Sequence, residues 1–211
     1  EDEAISTVMA LPNDEESWDA LTVMFATSRG SVRRNKLTDF TNIKANGKIA
    51  MKLSDGDHLV NVCSCNDDDD VLLAARDGKC IRFCVTDVRV FSSRGSTGVR
   101  GMNLAKDDLV ISMSILRHEE IEMDVRDNYL RSAAALRRSG DDETVEDLNQ
   151  GGEDNDVVRF SPEEFEALAA REEFILTIAE NGYGKRSSAY EYRITKRGGR
   201  GIVNIETSAR N

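Results

Sequence analysis

Val71-Leu72-Leu73-Ala74-Ala75-Arg76-Asp77-Gly78 is an apolar strand running into an Asp-Gly turn, and the chain contains this pattern three times. The other copies are Val23-Met24-Phe25-Ala26-Thr27-Ser28-Arg29-Gly30 and, one residue longer, Phe174-Ile175-Leu176-Thr177-Ile178-Ala179-Glu180-Asn181-Gly182. Asp-Gly and Asn-Gly between apolar runs are strong hairpin signals, because the turn needs a positive φ that glycine adopts without strain. The match continues downstream. Four residues past the glycine stand Arg34, Arg82 and Arg186; nine past it, Asp39, Asp87 and Glu191; ten past it, Phe40, Val88 and Tyr192.

Each copy then gives a third, glycine-led strand, at Gly47 to Leu53, Gly98 to Leu104 and Gly201 to Ile205. A fourth follows in two of them, at Leu59 to Cys65 and Leu109 to Leu116, and Asp2 to Leu11 reads as the fourth strand of a preceding unit. Gly30 and Gly78 are 48 residues apart, and Gly78 and Gly182 are 104 apart. Treating residues 117–173 as an insertion shrinks the second interval to 47. A period of 40–50 residues with four strands per unit is the mark of a propeller-type, all-β architecture. The expected organisation is the end of a preceding blade with an acidic linker over 1–20, blades over 21–66 and 67–116, an insertion over 117–173 and a partial blade over 174–211. Two units and two partial ones do not close a ring, so further units are expected outside this chain.

A net charge of −11 argues, taken whole, against a nucleic-acid partner. Its distribution argues otherwise. Residues 1–20 hold seven acids and no Lys or Arg, and residues 117–173 hold eighteen acids and seven bases. The remainder carries 21 bases and 14 acids, so a basic body bears acidic attachments. No apolar run approaches the roughly 18 residues of a membrane helix, and Glu1-Asp2-Glu3 does not open a signal peptide; a cytoplasmic location is expected.

Cys63/Cys65 and Cys80/Cys84 are spaced C-x-C and C-x-x-x-C. These admit half of a zinc site, but zinc ligand pairs are usually C-x-x-C, so free thiols packed in a sheet are the better reading. Asp67 to Asp70 reads as a solvated loop and His58 and His118 as surface residues. Asp39, Asp87 and Glu191 read as structural, capping turns or pairing with nearby bases, and Trp18 as packed on a blade. In the insertion, Ile121, Val125, Tyr129, Ala133 and Leu136 recur at helical spacing over His118 to Arg138. Ser161-Pro162-Glu163-Glu164 is a capping box that starts a second helix running to about Glu173. Ser139 to Asp156 reads as disordered. An arm this acidic is a candidate competitor with DNA phosphates.

Three sets of strings resemble repeats of the C-terminal domain of DNA gyrase A. They are Gly182-Tyr183-Gly184-Lys185-Arg186 with Glu191-Tyr192-Arg193 and Arg197-Gly198-Gly199-Arg200-Gly201; Leu37-Thr38-Asp39-Phe40 with Gly47 to Asp57; and Ser96 to Leu104. The resemblance implies a β-pinwheel, a partial wheel of propeller-like four-stranded blades that exchange strands, here with an α-helical acidic insertion. It also implies a module that binds and wraps double-stranded DNA and supports ATP-dependent negative supercoiling by a holoenzyme containing gyrase B and a second copy of gyrase A. The family's cleavage tyrosine lies in a separate region that nothing here resembles, and no Walker-type loop is present. The chain is therefore expected to be non-catalytic and to need no cofactor, with ATP and magnesium bound elsewhere in the holoenzyme. The family's Q-R-R-G-G-K-G box belongs to the first blade, whereas the box-like Lys196 to Gly201 falls in the last unit, so the box itself is expected outside this chain. Alternatives are the equivalent C-terminal domain of topoisomerase IV and a propeller that scaffolds other proteins.

Wrapping calls for sequence-independent attraction to phosphate by Arg, Lys and the backbone N–H groups of Gly-rich turns. The candidates are Arg29, Arg33, Arg34 and Lys36 in the first unit and Arg82, Arg94 and Arg100 in the second. In the third they are Lys185, Arg186, Arg193, Lys196, Arg197 and Arg200.

Overall fold

The computed structural model describes residues 4–41, 47–139 and 160–207. It divides into two compact units, one formed by Glu1–His118 with Ile194–Asn211 and the other by Glu119–Arg193.

The first unit is built from two four-stranded antiparallel sheets. Strands β1 (Thr22–Thr27), β2 (Ser31–Lys36), β3 (Leu59–Cys65) and β6 (Val99–Arg100) make one, in the order β3-β1-β2-β6. Strands β4 (Asp69–Ala75), β5 (Lys79–Cys84), β7 (Val110–Arg117) and β10 (Ile202–Val203) make the other, in the order β10-β5-β4-β7. Each sheet thus takes its hairpin and fourth strand from one repeat and its remaining strand from the next.

The exchange repeats residue for residue. Val99 pairs with Val32, and Ile202 with Cys80. The Gly30 carbonyl accepts from the N–H groups of Gly101 and Met102, and the Gly78 carbonyl from those of Asn204 and Ile205. Arg34 bridges in parallel to Val90, and Arg82 to Ile194. Both hairpin strands are buried on two faces, so they read as apolar runs without alternation. Val32, Val71, Leu73, Phe83, Val85 and Val88, each fully buried, form the shared core with Met24 and Met113.

Exchange also explains two departures from the sequence reading. Residues 47–53 form no strand, and neither do residues 4–11. A third strand pairs with the hairpin of the unit before its own, and a fourth strand pairs with the hairpin of its own unit, which precedes it. For neither segment is such a hairpin present among the described residues. Ile5 and Val8 are accordingly more than four-fifths exposed.

Glycine is required where the exchanged strand passes the hairpin. Gly98 has φ +86° and its missing side chain would point into the Val32 carbonyl. Gly182 has φ +85° but faces open space. Positive φ alone costs an Ala roughly 1–2 kcal/mol, and a backbone clash adds to it. Gly98→Ala is therefore expected to cost at least about 3 kcal/mol and Gly182→Ala about 1 kcal/mol, read from denaturant melts. Equal costs would show that the exchange contact is not tight.

The fourth strands begin at capping carboxylates that sequence reading passed over, although an acid at the same place in both repeats signals them. Asp57 accepts from Ser28 Oγ, Arg29 N and His58 N at 2.9–3.0 Å, and Asp108 from Asp77 N and Leu109 N. Burial alone would raise the Asp57 carboxyl. Hydrogen bonds from Thr27, Arg29, Ser28 and His58 override it and hold the group below the usual carboxylate range. A depressed folded value stabilises the fold above the unfolded pKa and loses that contribution as pH falls through the folded value. Asp57→Ala should thus lower the melting temperature most at neutral pH, and the gap to the native chain should shrink below about pH 4. A gap that persists in acid would contradict the assignment.

The second unit pairs a hairpin, β8 (Phe174–Ile178) with β9 (Gly184–Ser188), with two helices, α1 (Met123–Ser139) and α2 (Pro162–Ala169). The Ser161–Glu164 capping box is present in both directions. Tyr129, Ala133, Phe160, Leu168 and Tyr190 form the core, with Phe165 4.9 Å from the Tyr129 ring. The Tyr129 hydroxyl donates to Glu172, which Arg137 also contacts at 2.7 Å. The first helix starts later than the spacing suggested, so Ile121 packs on the core from outside it, and α2 ends before Glu173. The segment expected to be disordered lies almost entirely outside the described residues.

Candidate nucleic-acid interface

Repetition of arginine four residues past each hairpin glycine has a structural cause. Arg34 is 5% exposed and Arg82 4%. Arg34 Nε donates to Thr22 Oγ1 at 2.9 Å and its Nη2 contacts the Asp67 carboxylate. Arg82 Nε donates to Asp70 Oδ2 at 2.8 Å and Nη2 to the Arg117 carbonyl. Thr22 and Asp70 both stand eight residues before their glycine, and the third unit has Phe174 there. Arg186 stacks over the Phe174 ring at 4.7 Å, in an exposed setting. The repeat therefore keeps a diagonal cross-strand partnership.

Arg33 is also removed from the surface, at 0% exposure. Its Nε donates to Asn35 Oδ1, and its Nη1 to the carbonyls of Arg94 and Ser96 at 2.6 Å each. Burial first, then the Arg94 charge, lower its pKa. Arg33, Arg34 and Arg82, candidates for phosphate contact from charge alone, are spent inside the sheets, because an arginine projecting between strands must find its acceptors there.

The loops that lead into the exchanged strands gather the remaining bases. Arg94-Gly95-Ser96-Thr97-Gly98 and Arg197-Gly198-Gly199-Arg200-Gly201 occupy the same register. Arg94 Nη1 donates to the Ile49 carbonyl at 2.6 Å, and Arg197 Nη1 to the Arg100 carbonyl at 2.9 Å. Ile49 and Arg100 are equivalent, each two residues past its own strand-leading glycine. Arginine thus forms a rung from each exchange segment to the one before it. Gly198 N adds a bond to the Gly101 carbonyl, and Asn103 N one to the Gly199 carbonyl. Along this stack Arg100 and Arg200 are exposed, and Lys196 is exposed while pairing with Asp87 at 3.2 Å. Arg94 and Arg197 are half-buried by their rung contacts.

Arg29 and Lys36 are exposed elsewhere on the first unit. Sequence reading missed Arg89, exposed with its guanidinium 4.2 Å from the Phe91 ring, and the exposed Arg76, Lys79, Lys106 and Arg117. In the second unit Lys185 is half-buried and Arg193 exposed.

The four cysteines are free thiols. Burial pushes the Cys63 and Cys65 thiols up, and burial followed by the Asp70 and Asp87 carboxylates does the same for Cys84. Two expectations fail nearby. Asp70 is fully buried within β4, and His118 Nδ1 lies 2.9 Å from it. Asp70 stands inside the sheet because the buried Arg82 needs an acid beside it, and His118 is half-buried against that acid.

Blades that lend their third strand to the preceding sheet, stacked through arginine rungs, define a strand-exchanged propeller domain. A family model described as DNA gyrase C-terminal domain, beta-propeller, matches residues 22–66, 69–117 and 173–210, and the chain belongs to this family. It is 47% identical over 99% of its length to the DNA gyrase A protein of Granulibacter bethesdensis, covering 23% of that protein. It is 46% identical over 97% of its length to the DNA gyrase A protein of Rickettsia bellii, covering 22%. The chain thus spans less than a quarter of these relatives. A solved structure of a DNA gyrase A C-terminal domain superposes with a TM-score of 0.59 at 22% identity, covering 91% of this chain and 46% of that one. Among the described residues no helix is long and apolar enough to cross a membrane.

Proposed function

We propose that this chain is a DNA-binding and DNA-wrapping part of a gyrase A protein, supporting the negative supercoiling that its holoenzyme, with gyrase B and a second copy of gyrase A, drives by ATP hydrolysis. One observation carries the reading: the register-equivalent rungs of Arg94 and Arg197 hold successive Gly-rich exchange segments in a stack that leaves Arg100, Lys196 and Arg200 at the surface. Spaced charges on a rigid scaffold suit a partner whose own charges are spaced. Contacts of this kind recognise phosphate and not base sequence, and their gain comes from released counterions. Bending the duplex costs several kcal/mol, which many such contacts offset. The bases on this stack and the exposed Arg29, Lys36, Arg186 and Arg193, with the half-buried Lys185, are the proposed contacts. Cleavage and ATP hydrolysis belong to other parts of the holoenzyme.

The test is DNA affinity across a salt series, with two unrelated duplex sequences. The reading expects the logarithm of affinity to fall steeply and linearly with the logarithm of salt, equally for both duplexes. Salt-independent binding, or none, would refute it.

A further inference from the structure

We propose that Asp70, Cys84 and His118 form a binding site for one zinc-like divalent metal ion, fastening the end of β7 to the β4–β5 hairpin. Asp70 lies on β4, Cys84 ends β5 and His118 directly follows β7, so three separate strands deliver the three side chains. One carboxylate oxygen, one thiol sulfur and one ring nitrogen lie within 4.8 Å of one another. His118 Nδ1 is 2.9 Å from Asp70 Oδ1 and 3.8 Å from Cys84 Sγ. Sulfur, imidazole and carboxylate together are the ligand set of a borderline-soft ion such as Zn²⁺, which can take three protein ligands and leave its fourth position to water. The His118 side chain is about a third exposed, giving an ion and a water a way in.

Comparison of the two sheets shows that a buried arginine at this place does not require the trio. Arg34, the equivalent of Arg82, is held by Thr22 and Asp67. The bonds of Arg82 to Asp70 Oδ2 and to the Arg117 carbonyl pass through neither Cys84 nor His118. Lys36 stands at the register of Cys84 and Asp67 at that of His118. Both positions in the second sheet thus carry softer metal ligands where the first sheet has charged residues.

The surroundings also suit a dication. Arg82 occupies Asp70 Oδ2 and leaves Oδ1 turned toward His118, as a residue that orients a ligating carboxylate does. Asp87 adds negative charge next to Cys84, offset in part by Lys196 on its Oδ1, and its Oδ2 is buried without a hydrogen-bond partner. Thiolate and carboxylate would neutralise the ion, with the thiol proton released on binding.

The test titrates Co²⁺ into the full chain stripped of metal by a chelator. The expected result is one ion per chain, a tetrahedral visible spectrum with a sulfur-to-cobalt charge-transfer band, and displacement by Zn²⁺. Cys84→Ser should abolish the sulfur band, and His118→Gln should weaken binding by more than about tenfold. Cys63→Ser, in the other sheet, should change neither. Zn²⁺ should raise the melting temperature of the native chain and not that of the two site variants. Absence of a sulfur band in the native chain overturns the proposal whether or not the variants fold. A band that survives Cys84→Ser, or binding unaffected by His118→Gln, equally overturns it.

Discussion

Replacing Arg82 with methionine is expected to lower the melting temperature by about 10 °C while leaving the salt dependence of DNA affinity unchanged. Removing one member of a buried ion pair costs about 3–5 kcal/mol, chiefly because the other charge stays buried without its partner. In a chain of this size each kcal/mol is about 2–4 °C. Asp70, with a side chain at 0% exposure, cannot recover its hydration when Arg82 is lost and is left with the His118 ring beside Oδ1 in place of a fixed positive charge. Arg34→Met should cost less, about 1–2 kcal/mol, because its acid Asp67 is 74% exposed and rehydrates. Thermal melts order the two variants, and DNA titrations at several salt concentrations separate folding from binding. A reduced salt slope in folded Arg82→Met would return that arginine to the DNA surface and refute its internal role.

The opposite pattern is expected for a combined Arg100→Glu, Lys196→Glu and Arg200→Glu variant. Arg100 and Arg200 are exposed, so reversing them should change stability by no more than about 0.5 kcal/mol per site, and reversing Lys196, which also removes its pair with Asp87, should cost about 1 kcal/mol. If each contacts a phosphate, removing three contacts lowers the salt slope by about 3, and affinity near 0.1 M salt falls by about 100-fold or more. Melting within about 4–8 °C of the native chain together with a flattened salt series is the expected signature. An unchanged slope would place the DNA path elsewhere on the chain.

The two variant sets also show what the sequence could and could not disclose. Repeat length, strand number and hairpin glycines were legible because turn chemistry and apolar runs are local. Strand exchange came only with the family resemblance, and the strands that Gly98 and Gly201 lead proved to be two residues long. The partner of an exchanged strand, however, lies in another repeat, so residues 47–53 read as a strand although no hairpin among the described residues pairs with them. Arginine was the harder residue. Arg34, Arg82 and Arg200 look alike in a list of bases, and only the side chains eight residues before the hairpin glycine reveal that the first two are internal. A repeated basic position signals the fold when an equally repeated polar partner faces it across the strands. The register match of Arg94 with Arg197 was present in the sequence, but their acceptors are backbone carbonyls, which leave no trace in residue identity. His118 and Asp70 were misplaced for a related reason: their contact spans 48 residues, beyond the reach of any spacing rule.

The most direct measurement is the linking number of a closed circular plasmid relaxed by a nicking-closing enzyme in the presence of the full-length gyrase A protein, native or carrying the Arg100, Lys196 and Arg200 reversals. The native protein is expected to shift the linking number in proportion to its amount, and the reversed variant, equally folded, is not. The same shift with both proteins, or none with the native one, would contradict the claim that DNA wraps along the exchange segments.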